Sequence, residues 1–265
     1  DLKGSYKFTV CADAPQMTDG ITAILYKNGK AVDTDIYKVA EYSMVAFELD
    51  DETLLDETHT AAQLKDVLRA MLYYGAMAQA YFADKEYADP VNPESAADFI
   101  DMPVAYDDVT DEQLADAVAG QSTDLNENTE ANADLALYGL KYYGVSSVLG
   151  TNTSLRIYFS IIDDAKYNTY KDLITFGFYN EAASPVVATP NGRYVYVEYN
   201  NIAAAKLDNL VTMKINNNTV IRYSVLDYLR KALADAQNRV TPDTKMIDLV
   251  TAMYYYNQEA NTYFE

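Results

Sequence analysis

MLYYGAMAQAYF, residues 71–82, and MYYYNQEANTYF, residues 253–264, are nearly the same twelve residues written twice in one chain of 265. Extended upstream, the pairing joins Asp66 to Asp248, Ala70 to Ala252 and Met71 to Met253. Further along it joins Tyr73 to Tyr255, Tyr74 to Tyr256, Ala78 to Ala260, Tyr81 to Tyr263 and Phe82 to Phe264. At helical period Leu64, Val67, Leu68, Met71, Ala78 and Phe82 share a face, as do Met246, Leu249, Val250, Met253, Ala260 and Phe264. Two amphipathic helices with one buried stripe are expected. Where the first has Gly75 the second has Asn257, which marks a point where another element comes close.

The likeness continues towards the N-terminus. GSYKFTV (4–10) parallels GRYVYVE (192–198), and APQMTDGITAILYKNGK (14–30) parallels AAKLDNLVTMKINNNT (204–219). Tyr42-Ser43 parallels Tyr223-Ser224, with a longer loop expected in the first copy around DTDIYKVAE (33–41). Small offset changes at loops are what a duplicated unit produces. In the second copy GRYVYVEY reads as a strand, and LVTMKI and TVIRY as a hairpin turned by Asn216–Asn218. SVLDYLRKALADAQ reads as a helix capped by Ser224, and the terminal helix as one capped by Thr241 with Pro242 at its first position.

The second copy also has an opening that the first lacks. LALYGLKYYGVSSVL (135–149) and SLRIYFSII (154–162), separated by a Gly-Thr-Asn turn, predict a hairpin. Leu155, Ile157, Phe159 and Ile161 alternate there with Arg156, Tyr158 and Ser160. YNTYKDLITFGFYN adds a further strand or two. The expected class is therefore α+β: two tandem related modules, each an antiparallel sheet covered by amphipathic helices. Residues 1–90 form the first, without its opening hairpin. Residues 91–133 form an acidic linker with a short helix at VTDEQLADAVAG, capped by Thr110 and Gln113, and residues 134–265 form the second, complete module. The chain opens DLKGSYKFTV, with neither Met nor signal peptide, as an excised or processed segment would. The incomplete sheet of the first module is then either cut short or completed by another chain, since an open edge invites strand addition.

Forty acids against twenty basic residues give a net charge of −20, with no Lys/Arg stripe, so nucleic acid and anionic membrane surfaces are poor partners. No run of apolar residues is long enough to span a membrane. Cys11 is the single cysteine and forms no internal disulfide; its apolar surroundings, YKFTVCA, read as a strand with a buried, inert thiol. His59, the single histidine, reads as a surface residue at a helix entry, which argues against a zinc site or a Ser-His or Cys-His triad. No GxSxG, HExxH, CxxC, Walker loop or GxGxxG occurs. The carboxylate pairs Asp50-Asp51, Asp107-Asp108 and Asp163-Asp164 fall in expected loops, where solvated charge accounts for them. DLNENTEANADL (124–135) starts as a calcium loop but has Thr129 in place of glycine and Leu135 in place of glutamate, which rejects an EF-hand. An irregular Ca²⁺ site in an acidic loop stays open; no metal or other cofactor is otherwise called for, and no catalytic activity is expected.

Twenty-five Tyr, eight Phe and no Trp leave one further candidate, an aromatic binding platform. Sugar rings present C–H faces to aromatic planes while polar side chains bond the hydroxyls. Tyr158 beside Arg156 and Tyr179 with Asn180 are the residues that would build it, joined by Tyr142 and Tyr196 if those strands are neighbours. Packing inside the sheets is the competing use of the same rings, and the lack of Trp favours that use.

LRAMLYYGAMAQAYF, LKYYGVSSVLGTNTSLRIYFSI and YSVLDYLRKAL followed by LVTAMYYYNQEANTYF together resemble repeat modules of large secreted cell-surface proteins of gut Firmicutes, ruminococcal and clostridial types. Tyr142-Tyr143-Gly144, Ser154-Leu155-Arg156, Tyr223-Ser224 and Tyr263-Phe264 occupy the positions of that pattern. The resemblance covers most of 135–265, and 4–82 without its opening. It implies an extracellular, non-catalytic binding or adhesion module on a bacterial surface, of the kind found beside carbohydrate-binding parts and in starch adherence, with a polysaccharide or a host or bacterial surface protein as partner. The alternative is a structural spacer or protein-interaction module completed by strand addition.

Overall fold

The computed structural model describes residues 9–82, 134–149, 153–179, 189–191, 193–216 and 219–264. The chain is α+β and divides into two compact units, with the boundary between residues 82 and 134. The expected strand at 4–8, the linker at 91–133 with its helix, the Asp107-Asp108 pair and all but the last two residues of the tested calcium loop lie outside the described residues. Among those described, no helix is long and apolar enough to cross a membrane.

Unit 1 runs through a 3-10 turn η1 (Ala14–Gln16), strands β1 (Ile21–Lys27) and β2 (Lys30–Tyr37), and helices α1 (Val39–Phe47) and α2 (Ala61–Phe82). Asn28 and Gly29 take positive φ (50° and 76°) and close β1–β2 with a two-residue turn that matches strand twist. Thr60 and Gln63 cap α2 reciprocally: the Gln63 N–H donates to Thr60 Oγ1 at 3.3 Å and the Thr60 N–H to Gln63 Oε1 at 2.9 Å. Burial on α2 follows the expected stripe at Val67, Leu68 and Ala78, but Phe82 is exposed because it ends the helix beyond the core. The interior is built largely of alanines, with Leu72 and Tyr74.

Three expectations are corrected here. Residues 33–41 are not a loop: TDIY completes β2, and α1 begins at Val39. Tyr42 and Ser43 therefore sit inside α1, where Ala40, Ser43 and Ala46 bury one small-residue face and Ser43 Oγ donates to the Val39 carbonyl. Thr9 and Val10 are not in a strand, and Cys11 is exposed where a buried thiol was expected. His59 sits before α2 as expected, bonded to Asp56.

Unit 2 contains β3 (Leu140–Leu149), β4 (Thr153–Ile161), α3 (Asp164–Tyr170), β5 (Phe176–Tyr179), β6 (Thr189–Asn191), β7 (Tyr194–Ile202), η2 (Ala204–Lys206), β8 (Val211–Ile215), β9 (Thr219–Tyr223), α4 (Val225–Gln237) and α5 (Thr244–Phe264). Its strands form two antiparallel sheets, ordered β3-β4-β7-β6 and β5-β8-β9. One core lies between them: Leu140, Ile157, Phe159, Val195 and Val197 from the first sheet meet Met213, Ile215 and Ile221 from the second, with Phe176 and Phe178 packed alongside. The YNTY segment is helical, because Asp163 caps α3 by accepting the Lys166 N–H. Ser224 caps α4 as expected, in a buried box with Asp227. Helix α5 starts at Thr244, three residues after the expected cap; the Asp243 carboxylate accepts the Met246 N–H at 3.2 Å and takes that role. Phe264, like Phe82, is exposed at the end of its helix.

The element order 3-10 turn, hairpin, helix, long helix occurs once in each unit. The contact at the Gly75/Asn257 position also recurs. A Cβ on Gly75 would lie 3.1 Å from the Ala14 carbonyl oxygen of η1, whereas Asn257 spans the matching gap and donates Nδ2 to the Ala204 carbonyl of η2 at 2.7 Å. In unit 1 the bond to the turn comes one helical turn later, from Gln79 Nε2 to the Pro15 carbonyl and Thr18 Oγ1.

Burial pushes the hydroxyls of Tyr223, Tyr254 and Tyr256 above the ordinary tyrosine value, with the Asp227 carboxylate adding to the effect at Tyr223. These groups are neutral in the fold and ionise more easily in the unfolded chain. Their contribution to stability is thus complete below the unfolded value near 10 and is lost as pH rises from there through the folded values. The urea midpoint of unit 2 is expected to fall between pH 9 and pH 11, and to fall less in Tyr223→Phe; an unchanged midpoint contradicts it.

Candidate functional site

The outward face of the sheet β3-β4-β7-β6 collects the aromatic and polar residues that its inward face excludes. Alternation on β7 buries Val195 and Val197 and turns Tyr194, Tyr196 and Glu198 outward. On β4 it buries Leu155, Ile157 and Phe159 and turns Arg156 and Tyr158 outward. Register sets Tyr158 beside Tyr196 and Arg156 beside Glu198. The Tyr158 and Tyr196 rings are 5.6 Å apart and tilted at 43°.

Strand β3 supplies the third row. A bulge between Tyr142 and Gly144 leaves Tyr143 outward and 59% exposed, with its ring 4.6 Å from that of Tyr194. Tyr143, Gly144, Val145, Ser146, Tyr158 and Tyr194 line a shallow groove of about 220 Å³. Ser146 Oγ donates to the Tyr158 hydroxyl at 3.4 Å.

The polar end of the face is pre-organised. Arg156 Nε donates to Glu198 Oε2 at 2.9 Å, and Ser154 Oγ donates to Glu198 Oε1 at 2.6 Å, so both carboxylate oxygens are held. The Arg156 guanidinium lies over the Tyr196 ring, 5.0 Å from its centroid, an arrangement worth about 0.5–1 kcal/mol at a partly exposed site. Hydrogen bonding to Glu198 raises the Arg156 pKa, with burial opposing and the Tyr158 hydroxyl assisting, so the cation persists at any working pH. At the other end the hydrogen bond to Tyr143 keeps the Tyr194 hydroxyl above its ordinary value, so it stays a neutral donor and acceptor.

Of the six residues the sequence pointed to, Arg156, Tyr158 and Tyr196 come together on this face. Tyr142 does not: it is buried on the inward side, edge-on to Phe159 at 6.5 Å. Alternation outward from the buried Leu140 and exposed Lys141 assigns it there, so the signal was present in the sequence. Tyr179 belongs to β5, in the other sheet, and Asn180 lies outside the described residues. Tyr143, Tyr194, Ser146 and Glu198 complete the face and were not singled out. Buried on the Tyr194 strand are the neighbouring valines, Val195 and Val197, which leaves the Tyr194 ring on the outward face.

No family model, no curated protein and no solved structure matches this chain. The groove is smaller than the roughly 300–1,000 Å³ of enclosed ligand pockets, and the rings lie on a sheet surface. Such a surface can stack one or two flat, hydroxylated rings and bond their edges; it does not enclose a substrate. Among the described residues no group of three His, Cys, Asp or Glu is placed to hold a metal ion.

Proposed function

We propose that this chain is a non-catalytic, extracellular binding module of a bacterial cell-surface protein, and that the outward face of β3-β4-β7 recognises a glycan, with starch-like polysaccharide the leading candidate. The observation that carries this reading is the clustering of Tyr143, Tyr194, Tyr158 and Tyr196 on three adjacent strands, beside a fixed Arg156–Glu198 pair. Neighbouring outward positions along a strand are about 7 Å apart, a spacing that lets successive rings meet a sugar face. The phenol hydroxyls and the guanidinium supply donors and acceptors for sugar hydroxyls. The resemblance to surface modules of gut Firmicutes supports the extracellular setting and the choice of polysaccharide.

Affinity electrophoresis against starch, xylan, mucin and soluble cellulose tests the reading. Retardation by at least one polymer is expected. Tyr158→Ala and Tyr196→Ala should each weaken it by about 1 kcal/mol, roughly fivefold. No retardation by any polymer removes the glycan assignment.

A further inference from the structure

The hairpin of unit 1 buries neither face: every residue of β1 and β2 except Ile21 is exposed, including Ile24 (46%), Tyr26 (61%) and Ile36 (58%). A free two-stranded ribbon of this kind is only marginally stable in water. Its two edges are unlike. On β2 the N–H groups of Thr34 and Ile36 donate to their neighbours' carboxylates, Asp33 Oδ1 and Asp35 Oδ1, both at 2.9 Å. Those amides therefore face away from β1, and the outer edge of β2 is closed by its own acids, in the way edge strands are guarded against pairing.

Among the described residues the other edge has no such guard. Thr34 and Ile36 lie opposite Ile24 and Thr22. Opposed residues in an antiparallel ladder either exchange both bonds or neither, so the amides and carbonyls of Ile24 and Thr22 also point outward, along the free side of β1. Strand β1, ITAILYK, has no acid, and its one charge is Lys27. In unit 2 the hairpin at the same place in the element order, β8–β9, has this side occupied: β5 runs antiparallel along β8.

We infer that the free edge of β1 pairs with β1 of a second copy of this chain, antiparallel about a two-fold axis at Ile24. In that register Ile24 faces the partner's Ile24, and Thr22 faces the partner's Tyr26. The outward hydrogen-bonding groups of Thr22 and Ile24 are then in phase. Lys27 comes opposite the partner's Ile21 and diagonal to the partner's Asp19, a separation of roughly 7–8 Å that a lysine side chain spans. The axis makes this pair twice. Both residues are exposed, and neither has an ion-pair partner among the described residues. An isologous contact requires a self-complementary patch, and β1 has it in hydrogen-bond phase, apolar content and charge. The result is a four-stranded sheet whose new outer edges are the two guarded β2 strands. This contact concerns unit 1 and is independent of the tyrosine face.

Sedimentation equilibrium of the full chain from about 10 μM to 1 mM tests it. A reversible monomer–dimer equilibrium is expected. Ile24→Pro removes an outward N–H that the hairpin itself does not use, and should weaken the dimer at least tenfold. Lys27→Asp should weaken it severalfold, and Lys27→Asp with Asp19→Lys should restore it, a rescue that damage to the fold would not give. A chain that stays monomeric throughout overturns the inference, as does a dimer whose affinity is indifferent to Ile24→Pro and to the charge exchange.

Discussion

Gly139→Ala is expected to destabilise unit 2 by about 3 kcal/mol or more, from backbone strain and overlap acting together. Gly139 adopts φ +73°, which costs an L-residue of the order of 1 kcal/mol. The space is also taken. A Cβ there would lie 2.4 Å from the Asp163 carbonyl oxygen, 2.9 Å from the Tyr167 nitrogen and 3.1 Å from Lys166 Cβ. Two of those three atoms are backbone at the start of α3, so no side chain can swing aside to relieve the contact. The Gly139 carbonyl also accepts the Ile162 and Asp163 N–H groups at 2.8 and 3.3 Å, tying the start of β3 to the end of β4. Gly29 provides the comparison: its φ is +76°, but nothing lies within 4 Å of the added carbon, so Gly29→Ala should show the conformational cost alone, about 1 kcal/mol. Urea denaturation followed by circular dichroism measures both. If Gly139→Ala costs no more than Gly29→Ala, the tight approach of α3 to this turn is not maintained in solution.

Features set by local chemistry are legible in the sequence. Asn216 marks a hairpin because few residues accept positive φ, and Ser224 announces a helix start because a short oxygen side chain reaches an unpaired N–H. The Gly75/Asn257 exchange marked a close approach, and η1 and η2 are the elements that approach. What misled was competition between equally good local signals. Thr241-Pro242 is a sound helix opening, yet Asp243 caps α5, and it is further held by Arg239 at 2.8 Å. YNTY suits a strand by composition, but the Asp163 cap starts a short helix there. The candidate site was half legible because strand alternation assigns faces, while the bulge at Tyr142/Gly144 and the cross-strand register that joins Tyr143 to Tyr194 are tertiary facts.

Phe159→Ala should cost unit 2 about 3–5 kcal/mol, the range for removing a fully buried phenylalanine. Its ring joins the two sheets: it stacks on Phe176 of the second sheet at 5.3 Å and 29°, and meets Tyr142 edge-on within the first. Ile157, Val195 and Met213, all fully buried, belong to the same cluster, and such a close-packed site leaves little freedom to collapse around the void. Phe159→Leu keeps much of the volume and should cost appreciably less. The neighbouring residue makes this a sharp test, because Tyr158 is one position away and on the opposite face of β4. Tyr158→Ala should change the urea midpoint little and polymer retardation strongly; Phe159→Ala should lower the midpoint steeply, while the molecules that remain folded bind as the parent does. Equal losses of stability and binding in both variants would mean that the outward tyrosines serve the packing of the sheet and not a ligand.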